Sequence, residues 1–121
     1  MEMTGGALMH ELSHAMRYCI ANCTECHNVC RETLTHCFET GGAHAEPSHV
    51  RLLIDCAEIC SISAAFMLRG SPTHKRICGI CADICEQCAK DCERFTDDAH
   101  MTHCASICHS CASSCREMAM S

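Results

Sequence analysis

The chain has 121 residues, a formal charge of −6 with neutral histidine, and only three Phe, one Tyr and no Trp, so one domain over 1–121 is expected without an aromatic core. It holds no long basic run, which argues against nucleic acid as a partner, and no stretch approaching 18 apolar residues, which argues against a membrane span. Sixteen cysteines, ten histidines and eight methionines instead supply soft and borderline donors for transition metals.

The opening segment, MEMTGGALMHELSHAM, has neither the basic stretch nor the apolar stretch of a secretory leader, so the expected location is the cytoplasm. In a reducing compartment, many cysteines point to metal or redox chemistry before structural disulfides.

Four helices are expected. The first spans about 7–40, capped by Thr4 and stopped by Gly41-Gly42. Its seam reads Met9, Leu12, Met16, Cys19, Cys23, Cys26, Cys30, Thr33, Cys37. The second spans about 47–69, with Pro47 at its first position and Gly70 at its end. Its seam is His49, Leu53, Cys56, Cys60, Ser63, Met67. Ser71 and Pro72 open the third, over about 72–95, whose seam is Cys78, Cys81, Cys85, Cys88, Cys92, Phe95. Asp97 and Asp98 cap the fourth, over about 98–119, with Met101, Cys104, Cys108, Cys111, Cys115 and Met118 in line. Short connections make sequential helices antiparallel. The fold class is therefore all-α: an antiparallel up-down-up-down four-helix bundle with a cysteine-lined core. Apolar rows beside the seams (Ile59, Ile62 and Phe66; Ile77, Ile80 and Ile84) are expected to pack between helices.

Apart from one step of seven before Cys37, the cysteines within each helix recur at steps of three and four, which places them on one stripe. Cys19–Cys30, Cys81–Cys92 and Cys104–Cys115 share identical spacing. Side chains at i and i+4 have Cβ atoms about 5–6 Å apart, whereas a disulfide needs about 3.8 Å. An ion between the two sulfurs relieves that misfit, and Cu(I) accepts two thiolates in a nearly linear clasp. Soft thiolate selects Cu(I), zinc or iron–sulfur clusters. Zinc favours separate closed tetrahedral sites, and the usual iron–sulfur cysteine runs are absent. Charge favours copper as well, because each Cu(I) cancels one buried thiolate. If every sulfur bridges two ions and every ion takes two sulfurs, the ceiling is about 16 ions per chain. The rivals are a zinc- or cadmium-buffering, metallothionein-like protein, an iron–sulfur protein and a thiol-redox buffer. No nucleophile–base–orienter set marks an enzyme.

Thiol seams on four antiparallel helices, with C-x-x-x-C repeated from Cys19/Cys23 to Cys111/Cys115, resemble the cytosolic branch of the bacterial copper storage proteins across essentially the whole chain. The resemblance implies a four-helix bundle filled with Cu(I), assembly as a homotetramer, and copper entering at one end past His, Met or other donors. The loops at one end gather His36, His44, His49, His100, Met101 and His103, which makes that end the expected mouth. His36, His49, His100, Met101 and His103 are the candidate entrance ligands, with Asp55 as an auxiliary donor. Leu12, Met16, Met67 and Met118 form an apolar plug at the other end. The second helix has Ser63 and Met67 where the seam would take further cysteines, so complete filling of that end is not expected.

Overall fold

Local chemistry sets each helix end. Ser13 is extended (φ −69°, ψ 164°), and its Oγ accepts the Met16 N–H at 3.1 Å, so α1 (His14–Thr40) begins there. The computed structural model describes residues 12–121. Thr4, Met9 and the expected helical residues 7–11 lie outside that range; Leu12 and Ser13 precede the helix, which therefore starts later than the periodicity predicts. Gly41, at φ 73°, ends α1 with its N–H on the Cys37 carbonyl, in a conformation that favours glycine. A 3₁₀ turn, Gly42–Ala45, follows and leads to α2 (Pro47–Leu68).

The third helix is shorter than the sequence predicts: α3 is His74–Cys92. At its start, Ser71 Oγ accepts the Thr73 N–H and the Ser71 carbonyl accepts the His74 N–H, which holds Pro72 and Thr73 in a turn. At its end, Phe95 N–H bonds to the Cys92 carbonyl and Asp98 N–H to the Phe95 carbonyl, so tight i→i+3 turns replace the final helical turn. The phenyl ring leaves the helix line and packs on His44 and His49. Asp98, rather than Asp97, caps α4 (Ala99–Met120), its Oδ1 accepting the His100 and Met101 N–H groups.

The helices form a closed ring in which α1 packs on α2, α2 on α3, α3 on α4 and α4 on α1. Contacts run in opposite chain directions across each pair. Cys37 meets His49 while Cys26 meets Cys56, and Cys19 meets Cys115 while Cys26 meets Cys108. Neighbouring helices are thus antiparallel.

All sixteen cysteines are free and at most 1% exposed, so every one of them faces the axis. Neutral thiols pack as small hydrophobes, which lets this core form around sulfur. Ala57, Ala82, Ala89, Ala105 and Ala112 are buried directly beside it, each following a cysteine in the chain. Their small side chains let adjacent backbones approach closely. Ile59 and Ile84 pack against the core, as the apolar rows predict, but Ile62 and Ile80 are exposed.

Candidate metal centre

The thiols form a continuous ladder along the axis. Cys26, Cys30, Cys56 and Cys108 form one group whose sulfurs all lie within 4.8 Å of one another. Cys26 and Cys56 also belong to a group with Cys60 and Cys85. Cys60 and Cys85 recur with Cys81 and Cys111, and Cys81 and Cys111 recur with Cys23 and Cys115. Cys115 then joins Cys19 and Cys78. Each group shares sulfurs with the next, so separate closed zinc tetrahedra cannot occupy all of them without bridging.

The spacing suits bridging metal. Sulfurs from facing helices approach to 3.4 Å (Cys23 and Cys115) and 3.5 Å (Cys60 and Cys85), and Cys60 reaches diagonally to Cys111 at 3.7 Å. Along one helix, Cys26–Cys30, Cys81–Cys85 and Cys111–Cys115 lie at 3.9, 3.8 and 4.0 Å. With metal–sulfur bonds of about 2.3 Å, sulfurs sharing one ion sit about 3.8–4.6 Å apart, from tetrahedral to linear. Small side-chain shifts bring the core sulfurs to these values.

Towards the expected mouth come the buried Cys30, Cys88, Cys92 and Cys104, where Cys104 lies near enough to raise the pKa of the other three thiols. Thr33 and Leu53 then interrupt the seams of α1 and α2; both are buried, and Thr33 Oγ1 has no hydrogen-bond partner. Beyond them stands a trio. Cys37 Sγ lies 3.5 Å from His49 Nε2 and 3.8 Å from Met101 Sδ, and all three residues are at most 1% exposed. The other ring nitrogen, His49 Nδ1, meets Asp91 Oδ2 at 2.6 Å. With the Nδ1–H donating to that carboxylate, the Nε2 lone pair faces Cys37 Sγ. Arg94 Nε donates to Asp91 Oδ1 at 2.7 Å and fixes the carboxylate in turn. Burial opposes the Asp91 charge, but Arg94 and His49 overcome it and hold the carboxyl below its usual range.

Charge in this core is rationed between neighbours. Burial first, then the nearby Cys104, Asp98 and Cys88, pushes the Cys37 thiol up to about 11. Deeper in, Cys104 and Cys108 interact, so that ionisation of either thiol opposes ionisation of the other. Cations with two or more sulfur bonds each would relieve this competition along the whole ladder.

Residues 12–120 match the family model described as Csp, copper storage protein. The chain belongs to the copper storage protein family. Among solved structures of similar proteins, one from Nitrosospira multiformis is 44% identical, with a TM-score of 0.84 over 88% of this chain and 95% of that one. The Cu(I)-bound copper storage protein BsCsp3 is 38% identical, with a TM-score of 0.81 over 88% of this chain and 99% of that one. A cytosolic copper storage protein from Streptomyces lividans, solved with five coppers, is 27% identical, with a TM-score of 0.76 over 88% of this chain and 93% of that one.

In this storage protein the structure gathers only part of the donor set named from sequence at the mouth. His49 and Met101 line the core beside Cys37. His36 and His100 sit on the rim, stacked face to face with ring centroids 4.5 Å apart. Asp55 and His103 are exposed, and the structure brings neither of them to the thiols. Each directly precedes a seam cysteine, Cys56 or Cys104, and a helix turns by about 100° per residue, which swings both side chains off the seam. Asp91 and Asp98 hold three of the mouth histidines between them, yet the sequence marks Asp98 only as a cap and does not mark Asp91 as a site residue. Asp91 directly precedes Cys92 on α3, and only the packing of α2 on α3 brings it to His49. At the opposite end Met67 and Met118 are buried and Leu12 and Met16 are half-buried, while Ser63 Oγ lies 3.4 Å from Cys78 Sγ.

Proposed function

We propose that the protein is a cytoplasmic store that sequesters many Cu(I) ions on the sixteen core thiolates, and that it carries out no catalytic step. The unbroken sharing of sulfurs between adjacent four-thiol groups carries this reading. Cys37, His49 and Met101 receive an ion at the mouth. It then crosses the Thr33–Leu53 interval to Cys30 and Cys104 and moves down the ladder by thiolate exchange. The apolar end, with Met16, Met67 and Met118, keeps the other side closed. The chain 1–121 acts as one copper-binding domain. No helix among the described residues is long and apolar enough to cross a membrane, which accords with a cytoplasmic store. Assembly as a homotetramer finds support in outward apolar side chains, among them Tyr18, Phe38, Ile62 and Leu68, each more than 40% exposed.

Metal competition tests the function. Reduced protein offered Cu(I) and an excess of Zn(II) under anaerobic conditions is expected to retain copper in the core thiols and to release any zinc first loaded there. Retention of zinc in the core, or iron with acid-labile sulfide in the freshly isolated protein, would sink the copper reading.

Asp91 provides a test of the mouth. Asp91→Ala frees the His49 ring without touching a thiol. Cu(I) uptake is expected to slow by about tenfold or more, the scale on which lost outer partners of metal-binding histidines act, with the final capacity unchanged. Anaerobic stopped-flow transfer from a chromophoric Cu(I) chelator measures this, and an unchanged rate would remove His49 from the entrance.

A further inference from the structure

Outside the thiol core, one cluster of side chains has the chemistry of a different metal. His36 Nε2 and His44 Nε2 meet the same oxygen, Asp98 Oδ2, at 2.7 and 2.9 Å. The three come from separate elements: the last turns of α1, the 3₁₀ turn and the cap of α4. Each is partly buried, with side-chain exposures of 29%, 17% and 22%. The two rings stand edge to face at 5.8 Å, at an interplanar angle of 83°, so their nitrogens converge rather than lie parallel.

The cluster is held from behind. His100 stacks on His36, and Phe95 lies 4.1 Å from the His44 ring, centroid to centroid. Asp98 Oδ1 is used by the His100 and Met101 N–H groups, which leaves Oδ2 directed at the two imidazoles. The pairing with His36, more than opposing burial, keeps the Asp98 carboxylate ionised, and His44 and the Met101 N–H add to this. The carboxyl end of α1 adds negative partial charge at His36.

We infer that His36 Nε2, His44 Nε2 and Asp98 Oδ2 form an outer site for one divalent transition-metal cation of the zinc class. Two imidazoles and a carboxylate make a borderline, nitrogen-rich set that suits such a cation better than Cu(I). With bonds of about 2.0–2.1 Å, ligand atoms around a tetrahedral ion lie about 3.3 Å apart. The nitrogen–oxygen distances need to open by only about half an ångström to reach this. The ion takes the place of the two Nε2 hydrogens directed at Oδ2, each neutral ring moves its proton from Nε2 to Nδ1 by a change of tautomer, and water completes the shell. Phe95 also packs on His49, at 5.0 Å, and so separates this outer site from the buried Cys37–His49–Met101 trio. Filling it would tie α1 and the 3₁₀ turn to the start of α4 across the mouth. The inference rests on the storage reading only in that Cu(I) is used below to occupy the thiols.

The test uses full-length protein saturated with Cu(I) under anaerobic conditions, titrated with Zn(II) by calorimetry, with copper content measured on the same samples. One zinc per chain is expected. Affinity is expected to fall at least about tenfold in His36→Gln and in His44→Gln, while His103→Gln, altered at an exposed position on the same end, matches the wild type. Copper content is expected to be equal in all four proteins. No zinc binding by the copper-filled wild type, or equal affinity in the His36 and His44 variants, would overturn the outer site. A core that fails to fill with Cu(I) would show in the copper content alone and would count against the storage reading instead.

Discussion

Anaerobic titration of the fully reduced protein with Cu(I), against a strong chromophoric chelator, is expected to saturate at more than about ten ions per chain with little change in helix content. The stoichiometry follows from sharing. Cys26, Cys56, Cys60, Cys81, Cys85, Cys111 and Cys115 each belong to two groups of mutually close sulfurs, so each can serve more than one ion. The constant helicity follows from the packing of the thiols. All sixteen thiols are already at most 1% exposed, and buried alanines already seat the helices on one another. Zinc fingers behave differently, because their ligands meet only when metal binds. Proton release gives a second readout. Cys37, pushed up to about 11, is protonated at neutral pH, so an ion bound there must displace its proton. Apparent affinity at this sulfur is therefore lost as pH falls and gained as pH rises towards that value. Saturation at one to four ions, or helix formation that tracks the metal, would contradict a preformed store.

The bundle could be read from the sequence because its core is made of a single residue type. Steps of three and four from Cys19 to Cys37 and from Cys104 to Cys115 define a helical face without any appeal to hydrophobicity scales. Gly41 and Pro47 punctuate the chain where the structure places ends. Other features depend on three-dimensional placement. Phe95 continues the periodic seam of α3, yet the chain leaves the helix at Cys92 so that the ring can cover the mouth histidines. The alanines beside the core carried a local signal that a count of thiols overlooks: in Cys56-Ala57, Cys81-Ala82, Cys88-Ala89, Cys104-Ala105 and Cys111-Ala112 the small residue always follows the thiol. The mouth was legible only as a concentration of histidines. Its sorting into a buried His49, a carboxylate-linked His36 and His44, and an exposed His103 depends on Asp91 and Asp98. These two arrive from α3 and the α3–α4 turn, elements distant in sequence from α1 and α2.

Removing the middle of the ladder is expected to divide the store. Cys26, Cys56 and Cys108 lie at its centre, with Cys56 at 3.8, 4.0 and 3.7 Å from Cys26, Cys108 and Cys85. The fourfold variant Cys26→Ala, Cys56→Ala, Cys85→Ala, Cys108→Ala leaves Cys30, Cys37, Cys88, Cys92 and Cys104 on the mouth side. Cys19, Cys23, Cys60, Cys78, Cys81, Cys111 and Cys115 remain on the far side. Alanine keeps the helices intact, being the best helix former, and far-ultraviolet circular dichroism checks this. Thiolate exchange needs the next sulfur within reach, and a missing layer leaves the remaining cysteines of α1, α3 and α4 seven residues apart across the gap, about two helical turns or roughly 10.5 Å. If copper enters only past His49 and Met101, rapid uptake should stop at about five ions, one per remaining mouth-side thiolate, rather than the ceiling of about sixteen. The seven far-side thiols should stay reactive towards an alkylating agent when the protein is unfolded after loading. Their protection would mean that copper passes the methionine-lined end, and the direction of filling assigned to the bundle would have to be reversed. Rapid filling on both sides would show that Met16, Met67 and Met118 do not close the bundle at all.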